Sequence, residues 1–90
     1  QYVVSVVCAP QYAWPCSMAV WVAWCESRFQ ADAYSAAGPY RGLFQVWDAH
    51  AAEPARLYDP AYNISLAYEL WSRRGWQPWP YCGRIQPATP

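Results

Sequence analysis

The stretch YDPAYNISLAYELWSRRG, residues 58–75, carries the start and stop signals of a complete helix. Asp59 can cap the first turn, and Pro60 suits the first helical position because no backbone donor is needed there. Two arginines stand in the last turn, where the helix dipole favours cations, and Gly75 is a typical stop. We therefore predict a helix between Asp59 and Gly75. Its inner face consists of Ile64, Ala67, Tyr68 and Trp71.

A second helical period precedes this one in the chain. Apolar residues recur at three- and four-residue steps over residues 17–29, which predicts one apolar stripe on a helix with Ser17 as its N-cap. The stripe consists of Met18, Trp21, Val22, Cys25 and Phe29. With two such segments in a short chain, we expect a mainly α fold.

The remaining segments are less regular. Residues 30–42 lose the helical period and contain glycine and proline, so we predict a loop, followed by a helix from residue 42 or 43 to about residue 52. The β-branched segment YVVSVV at 2–7 predicts a short strand or an extended N-terminal arm. The tail at 75–90 holds four prolines, which predicts extended surface turns with a frayed end.

Composition limits the classes of protein that the chain can represent. Ninety residues, 56% of them hydrophobic, predict one domain with a packed core over residues 1–90. Six basic against six acidic residues give no net charge, so we expect no nucleic-acid partner. No apolar run is long enough to insert into a membrane. Gln1 is not a methionine and no signal-peptide pattern follows, which indicates a mature, trimmed or excised fragment.

Two residue types stand out. Seven tryptophans and eight tyrosines exceed what so small a core can hold, so several rings should form a binding surface for sugars or proteins. The cysteines form an even set without Cys-x-x-Cys spacing, which favours disulfides over zinc and an oxidising compartment. Three pairings are possible, and we expect no metal and no cofactor. The cysteines are Cys8, Cys16, Cys25 and Cys82.

Glu26 is the candidate catalytic residue. It lies in AWCESRFQADAYS, residues 23–35, in the last turn of the predicted helix. The carbonyl end of a helix and apolar neighbours both oppose ionisation, so the pKa of this carboxyl should be raised. A carboxyl that stays protonated near neutral pH can act as the general acid of a glycosidase. On position alone, a surface glutamate paired with an arginine is the commoner interpretation.

Four segments that follow one another along the chain favour the catalytic interpretation of Glu26 over the surface ion pair. ESRFQADAYS (26–35) resembles a Glu-Ser block, and GLFQV (42–46) is similar to a Gly-Leu-Met-Gln block. YDPAYNISLAYEL (58–70) resembles an Asp-Pro-x-x-Asn-Ile segment, and RGWQPWPYCG (74–83) resembles a Gly-Trp-x-x-Trp-Pro-x-Cys ending. Together they resemble the lysozyme-like domain of lytic transglycosylases and goose-type lysozymes, and the ending is that of the resuscitation-promoting factors.

The resemblance implies roles for particular residues. Glu26 would be the catalytic acid, with Ser35 close to it and the block at 42–46 lining a sugar cleft. In the resuscitation-promoting subgroup the cysteine before the glutamate is joined to the one in the ending, so Cys25 would pair with Cys82 and leave Cys8 with Cys16. Further residues expected to bind or support the sugar are Phe44, Gln45, Trp76, Trp79 and Tyr81.

The mechanism leaves alternatives open. Glycoside hydrolysis normally needs a second carboxylate, for which Asp32 and Asp48 are the nearby candidates. The resemblance instead favours a lytic transglycosylase, in which Glu26 alone acts as acid and then as base and leaves a 1,6-anhydro sugar. A hydrolytic lysozyme and a weakly active peptidoglycan-binding module are the alternatives. A cysteine hydrolase using Cys25 is disfavoured because we expect this cysteine to form a disulfide, which removes the free thiol.

The resemblance also implies a setting. The partner would be the glycan strand of peptidoglycan, and the domain would act as a monomer outside the cytoplasm. It would belong to a secreted, cell-wall-associated enzyme or to a phage particle.

Overall fold

The computed structural model describes residues 2–84, and the frayed end predicted for the tail lies outside these residues. Three α-helices, α1 (Tyr2–Val7), α2 (Cys16–Ser27) and α3 (Pro60–Arg74), carry most of the regular structure. The expected mainly α class with two disulfides, Cys8–Cys16 and Cys25–Cys82, is confirmed. No helix within the described residues is both long and apolar enough to cross a membrane.

A small antiparallel sheet lies between α2 and α3 in the chain. Its strands are β1 (Tyr34–Ser35), β2 (Tyr40–Arg41) and β3 (Val46–Trp47), in that spatial order. Arg41 is paired with Tyr34 on one side and with Val46 on the other. Two 3₁₀ helices, Asp48–His50 and Pro54–Tyr58, lead from the sheet to α3.

The N-terminal segment is a helix, so the predicted strand or extended arm is wrong. Val3 and Val7 lie one helical turn apart and both are buried in the core. α1 packs against α2 and α3, and the indole N–H of Trp14 donates a 2.8 Å hydrogen bond to the carbonyl of Val7. Burial of the two valines on one helical face therefore overrides the β preference of valine.

The two longer helices agree with the sequence more closely. α3 starts after Asp59 and ends before Gly75, as predicted. α2 is slightly displaced, because Pro15 rather than Ser17 occupies the N-cap and the helix stops at Ser27. Its stop has a local cause, since the next two residues, Arg28 and Phe29, have positive φ angles of 55° and 63°.

The helix predicted from residue 42 or 43 to 52 is absent. Residues 42–45 form a tight turn instead, with φ of 81° at Gly42 and 50° at Gln45, and β3 and a 3₁₀ helix follow. A side chain at Gly42 would collide with the carbonyl of Leu57 and the amide of Asn63. The close approach of these groups leaves no room for a side chain at residue 42.

Asn63 holds this turn in place. Its side chain is fully buried, accepts a 2.9 Å bond from the Phe44 N–H, and donates to the carbonyls of Arg41 (2.9 Å) and Leu57 (3.0 Å). One amide on α3 thus satisfies backbone groups from β2, the tight turn and the second 3₁₀ helix. Such groups need a partner because water cannot reach them.

We expect Asn63→Leu to lower the free energy of unfolding by about 2–4 kcal/mol, because three buried backbone groups lose their partners at similar side-chain volume. Urea denaturation followed by tryptophan fluorescence measures the change. Ser72→Ala on the exposed face of α3 is the control, and its effect should stay within about 0.5 kcal/mol. An Asn63→Leu variant as stable as this control would contradict the role of the amide.

The aromatic residues divide between core and surface, as their number predicts. Trp14 is buried and stacks on Phe44 at 5.3 Å and on Trp76 at 5.8 Å between ring centroids. The large hydrophobic side chains that stay exposed are Tyr2, Trp24, Tyr34, Tyr40, Trp47 and Tyr81. Several of these rings border the cavities described below.

Candidate active site

Glu26 is the penultimate residue of α2, and its carboxyl is half-buried. Burial raises the pKa of this carboxyl from 4.5 to about 7. The direction agrees with the sequence-based expectation, and the cause is the removal of water from the charged form. Near neutral pH a substantial fraction of Glu26 is therefore protonated and able to donate a proton.

The apolar neighbours of Glu26 in the sequence stabilise the turn that follows it. The rings of Trp24 and Phe29 meet edge to face at 5.4 Å, and the Arg28 guanidinium lies 5.1 Å from the Trp24 ring centroid. The Arg28 N–H also donates to the Trp24 carbonyl at 2.8 Å and closes the helix end. These contacts hold the chain in its left-handed turn directly after Glu26.

The C-terminal segment is fixed against α2. The Cys25–Cys82 disulfide joins the residue before Glu26 to this segment. The indole N–H of Trp21 donates to the carbonyl of Cys82 at 3.1 Å, and that of Trp79 donates to the carbonyl of Phe44 at 2.8 Å. The disulfide and the Trp21 bond therefore tie this segment to α2, and the Trp79 bond ties it to the tight turn at 42–45.

A cleft of about 240 Å³ opens beside Glu26. The structure brings five of the predicted site residues to it: Glu26, Ser35, Gln45, Trp79 and Tyr81. It adds Tyr40, Pro78 and Pro80, which the sequence analysis did not name. The two prolines belong to the tail motif and could have been found there. Tyr40 had no such signal, because only the pairing of β1, β2 and β3 brings it to the cleft.

Gln45 has a positive φ angle, and two hydrogen bonds fix the position of its side-chain amide. Its side-chain N–H groups donate to the carbonyls of Gly42 at 3.0 Å and Ala33 at 3.2 Å. These bonds use the two amide donors and leave the amide oxygen as an acceptor for a ligand in the cleft. The positive φ of Gln45 is thus held by its own side chain as well as by the tight turn.

Two predicted sugar-binding residues lie outside this cleft. Phe44 is fully buried, and its backbone carbonyl accepts the hydrogen bond from Trp79, which borders the cleft. Trp76 stacks on Trp14 and lines a different cavity of about 410 Å³, so its ring is not part of the wall beside Glu26. Trp79 borders the cleft but is only 2% exposed, which leaves little of its face for stacking on a sugar.

The two candidate second carboxylates also lie outside the cleft. Asp48 accepts hydrogen bonds from Arg41 Nε at 2.8 and 3.0 Å and raises the pKa of that guanidinium. Arg41 also donates to the hydroxyl of Tyr58 at 2.9 Å, so Asp48 belongs to a network with Arg41 and Tyr58. Asp32 is exposed and does not line the cleft. Among residues 2–84, Glu26 is the one carboxylate that lines this space.

The charged side chains of the described region offer no arrangement for metal-ion binding. No group of three or more histidine, cysteine, aspartate or glutamate side chains within residues 2–84 is placed to hold a metal ion.

A small helical domain with one partly protonated glutamate in an open cleft has the arrangement of a lysozyme-like glycosidase. The family described as the transglycosylase SLT domain matches residues 7–75, about three quarters of the chain, and the chain belongs to this family. Its members are lytic transglycosylases that cleave peptidoglycan, so glycosidase-type activity on peptidoglycan is the family's activity. No curated protein and no solved structure gives a significant match.

Proposed function

We propose that the domain, over residues 1–90, is a lytic transglycosylase that cuts the MurNAc-β-1,4-GlcNAc bond of peptidoglycan with Glu26 as its catalytic residue. The observation that carries the proposal is the half-buried Glu26, with a pKa of about 7, in a cleft that no other described carboxylate lines. One carboxyl that titrates near neutral pH can serve as acid and base in turn.

The reaction needs no second protein carboxylate. Protonated Glu26 donates its proton to the glycosidic oxygen as the bond from that oxygen to C1 of the muramyl residue breaks. The C6 hydroxyl of the same residue then attacks C1, and the Glu26 carboxylate accepts the hydroxyl proton. The products are a free 4-hydroxyl and a 1,6-anhydro end, no water is consumed, and Glu26 returns to its protonated state. Attack by a tethered hydroxyl has the entropic advantage of an intramolecular reaction.

The remaining cleft residues would bind and orient the glycan. Gln45 offers an amide oxygen, and Ser35 and Tyr81 offer hydroxyls to sugar hydroxyl and acetamide groups. Trp79 and Phe44 would hold the floor of the cleft in place through their hydrogen bond. Tyr81, which is 65% exposed, has the most ring surface available for contact with a pyranose.

The Cys25–Cys82 pairing supports a closer relation to the resuscitation-promoting subgroup, whose ending lies beyond the family match at residues 7–75. The two disulfides and the peptidoglycan substrate of the family support action outside the cytoplasm. We infer a monomer that is secreted or carried by a phage particle.

We expect the muropeptides released from purified cell walls to end in 1,6-anhydro-muramyl residues. Mass spectrometry separates these from reducing ends, which are heavier by one water. Asp32→Asn and Asp48→Asn should leave the type of product unchanged, because neither carboxylate lines the cleft. Reducing ends that are lost in one of these variants would identify a hydrolytic lysozyme, and no release by the parent would favour a binding module.

A further inference from the structure

A second compartment adjoins the cleft of Glu26. Its volume is about 250 Å³. The two spaces have five lining residues in common, so they form one continuous surface: Tyr40, Gln45, Pro78, Trp79 and Pro80. A glycan strand bound at Glu26 therefore has the second compartment directly beside it.

The far side of this compartment carries a cation without an acidic partner. Arg74, from the last turn of α3, lines it together with Gln77 and His50, and no aspartate or glutamate does. Arg74 forms no ion pair with any residue between 2 and 84, whereas Arg41 and Arg56 each have an acidic partner. The compartment thus presents hydrogen-bond donors and a net positive charge.

Apolar side chains line the same compartment as Arg74. The ring of Trp47 is 45% exposed and meets the His50 ring edge to face at 5.4 Å, and buried Leu70 lies beneath. The Gln77 N–H donates to the Arg74 carbonyl at 3.3 Å, which ties the end of α3 to the tail that borders both compartments. A ligand with an apolar portion and an anionic group matches this pattern.

We propose that this compartment is a subsite for a carboxylate on the substituent of a muramyl residue, with Arg74 as its main ligand. The inference rests on the proposed function, because it takes the glycan of peptidoglycan as the occupant of the adjoining cleft. Muramyl residues carry a lactyl acid at O3, which is free or extended by a peptide stem with carboxylates of its own. Neutral N-acetylglucosamine offers no such group, so the subsite distinguishes the two sugars of the strand.

The test measures binding in the inactive Glu26→Gln background, where cleavage cannot interfere. Three soluble tetrasaccharide fragments are compared by isothermal titration calorimetry: one with peptide stems, one with free lactyl acids, and one with the lactyl acids amidated. Arg74→Gln is the test variant and Arg73→Gln the matched control. The two arginines are neighbours, both exposed, and share the carbonyl end of α3, but Arg73 does not line the compartment.

Arg74→Gln should weaken binding of an acidic fragment about two- to fivefold, the range expected for an exposed ion pair. Binding of the amidated fragment should not change, and Arg73→Gln should behave as the background does. Loss with the stem-bearing fragment alone would assign the carboxylate to the stem, and loss with the free lactyl fragment would assign it to the lactyl acid.

Equal affinities in the Arg74→Gln and Arg73→Gln variants, or equal weakening for the amidated fragment, would overturn the subsite. The proposed function fails separately, if the parent binds the acidic fragments in this way but releases no anhydro products from cell walls. In that case the subsite remains as part of a binding module.

Discussion

Glu26→Gln is expected to reduce the release of muropeptides from cell walls at least about 100-fold, the usual value of general acid-base catalysis. Glutamine has the shape of the protonated acid, but it can neither donate the proton that the leaving oxygen needs nor take one from the C6 hydroxyl. The half-buried carboxyl with its raised pKa is the only described carboxylate in the cleft, so no neighbour replaces it. Turbidity loss and mass spectrometry of the products measure the effect.

Glu69→Gln is the matched control for this change. Glu69 is exposed on α3 and lines neither the cleft nor the second compartment, so its variant should keep the parent rate. A Glu26→Gln variant that keeps more than about a tenth of the parent activity would remove Glu26 from the mechanism. Binding of glycan fragments should persist in the variant, because the hydrogen-bonding groups of the cleft remain.

The same substitution should change the dependence of stability on pH. The pKa of Glu26 is about 7 in the folded protein and 4.5 as the reference for the unfolded chain. Protonated Glu26 is therefore favoured by folding, and this contribution is present below pH 4.5 and is lost as the pH rises through about 7. As the pH rises from 4.5 to about 7, the parent loses this contribution and Glu26→Gln does not, so the variant should gain stability relative to the parent. Urea denaturation across this pH range measures the difference in the free energy of unfolding. A constant difference would show that the carboxyl is not desolvated.

Removal of the Cys25–Cys82 disulfide is expected to have the largest effect on stability. The crosslink spans 57 residues, and by the chain-entropy estimate its loss in the Cys25→Ala, Cys82→Ala double variant costs about 4 kcal/mol. Activity should fall about tenfold or more even at a temperature where the variant stays folded, because residues 78–81 lose their covalent tie to α2 and only hydrogen bonds hold them beside Glu26. Urea denaturation and the cell-wall assay measure the two effects.

The Cys8–Cys16 pair provides the comparison. Its sequence separation is eight residues, so the same estimate gives about 2.5 kcal/mol for the Cys8→Ala, Cys16→Ala variant. This disulfide joins the end of α1 to the start of α2 and does not line the cleft, so activity per folded molecule should match that of the parent. Equal loss of activity in both double variants would show that the tail does not depend on Cys25–Cys82 for its position.

The parts of the fold that could be predicted depend on local signals. α3 was located to the residue because Pro60 and Gly75 act through the backbone of their own turns, although the Asp59 side chain makes no capping hydrogen bond. α2 was located within two residues, and the raised pKa of Glu26 followed from its apolar surroundings. The disulfide pairing came from the resemblance rather than from these patterns, because four cysteines alone allow three pairings.

The parts that could not be predicted depend on contacts between distant segments. Local preference favoured a strand at residues 2–7 and a helix after residue 42, but neither pattern contains the partner that decided the outcome. Burial of Val3 and Val7 against α2 and α3 made the first segment a helix. Asn63, on α3, bound the backbone of the second segment and held it in a turn.

The cleft shows the same division between sequence and tertiary structure. The sequence alone predicted that Glu26 lies in the last turn of an apolar helix and that its pKa is raised, because both properties arise within a few residues of it. Only the tertiary structure decided which side chains face that carboxyl. It placed Tyr40 and the tail prolines at the cleft. It placed Trp76 against Trp14 and a different cavity, and it paired Asp48 with Arg41. The physical reason is that these contacts join segments that are distant in the chain, so no local sequence pattern contains both partners.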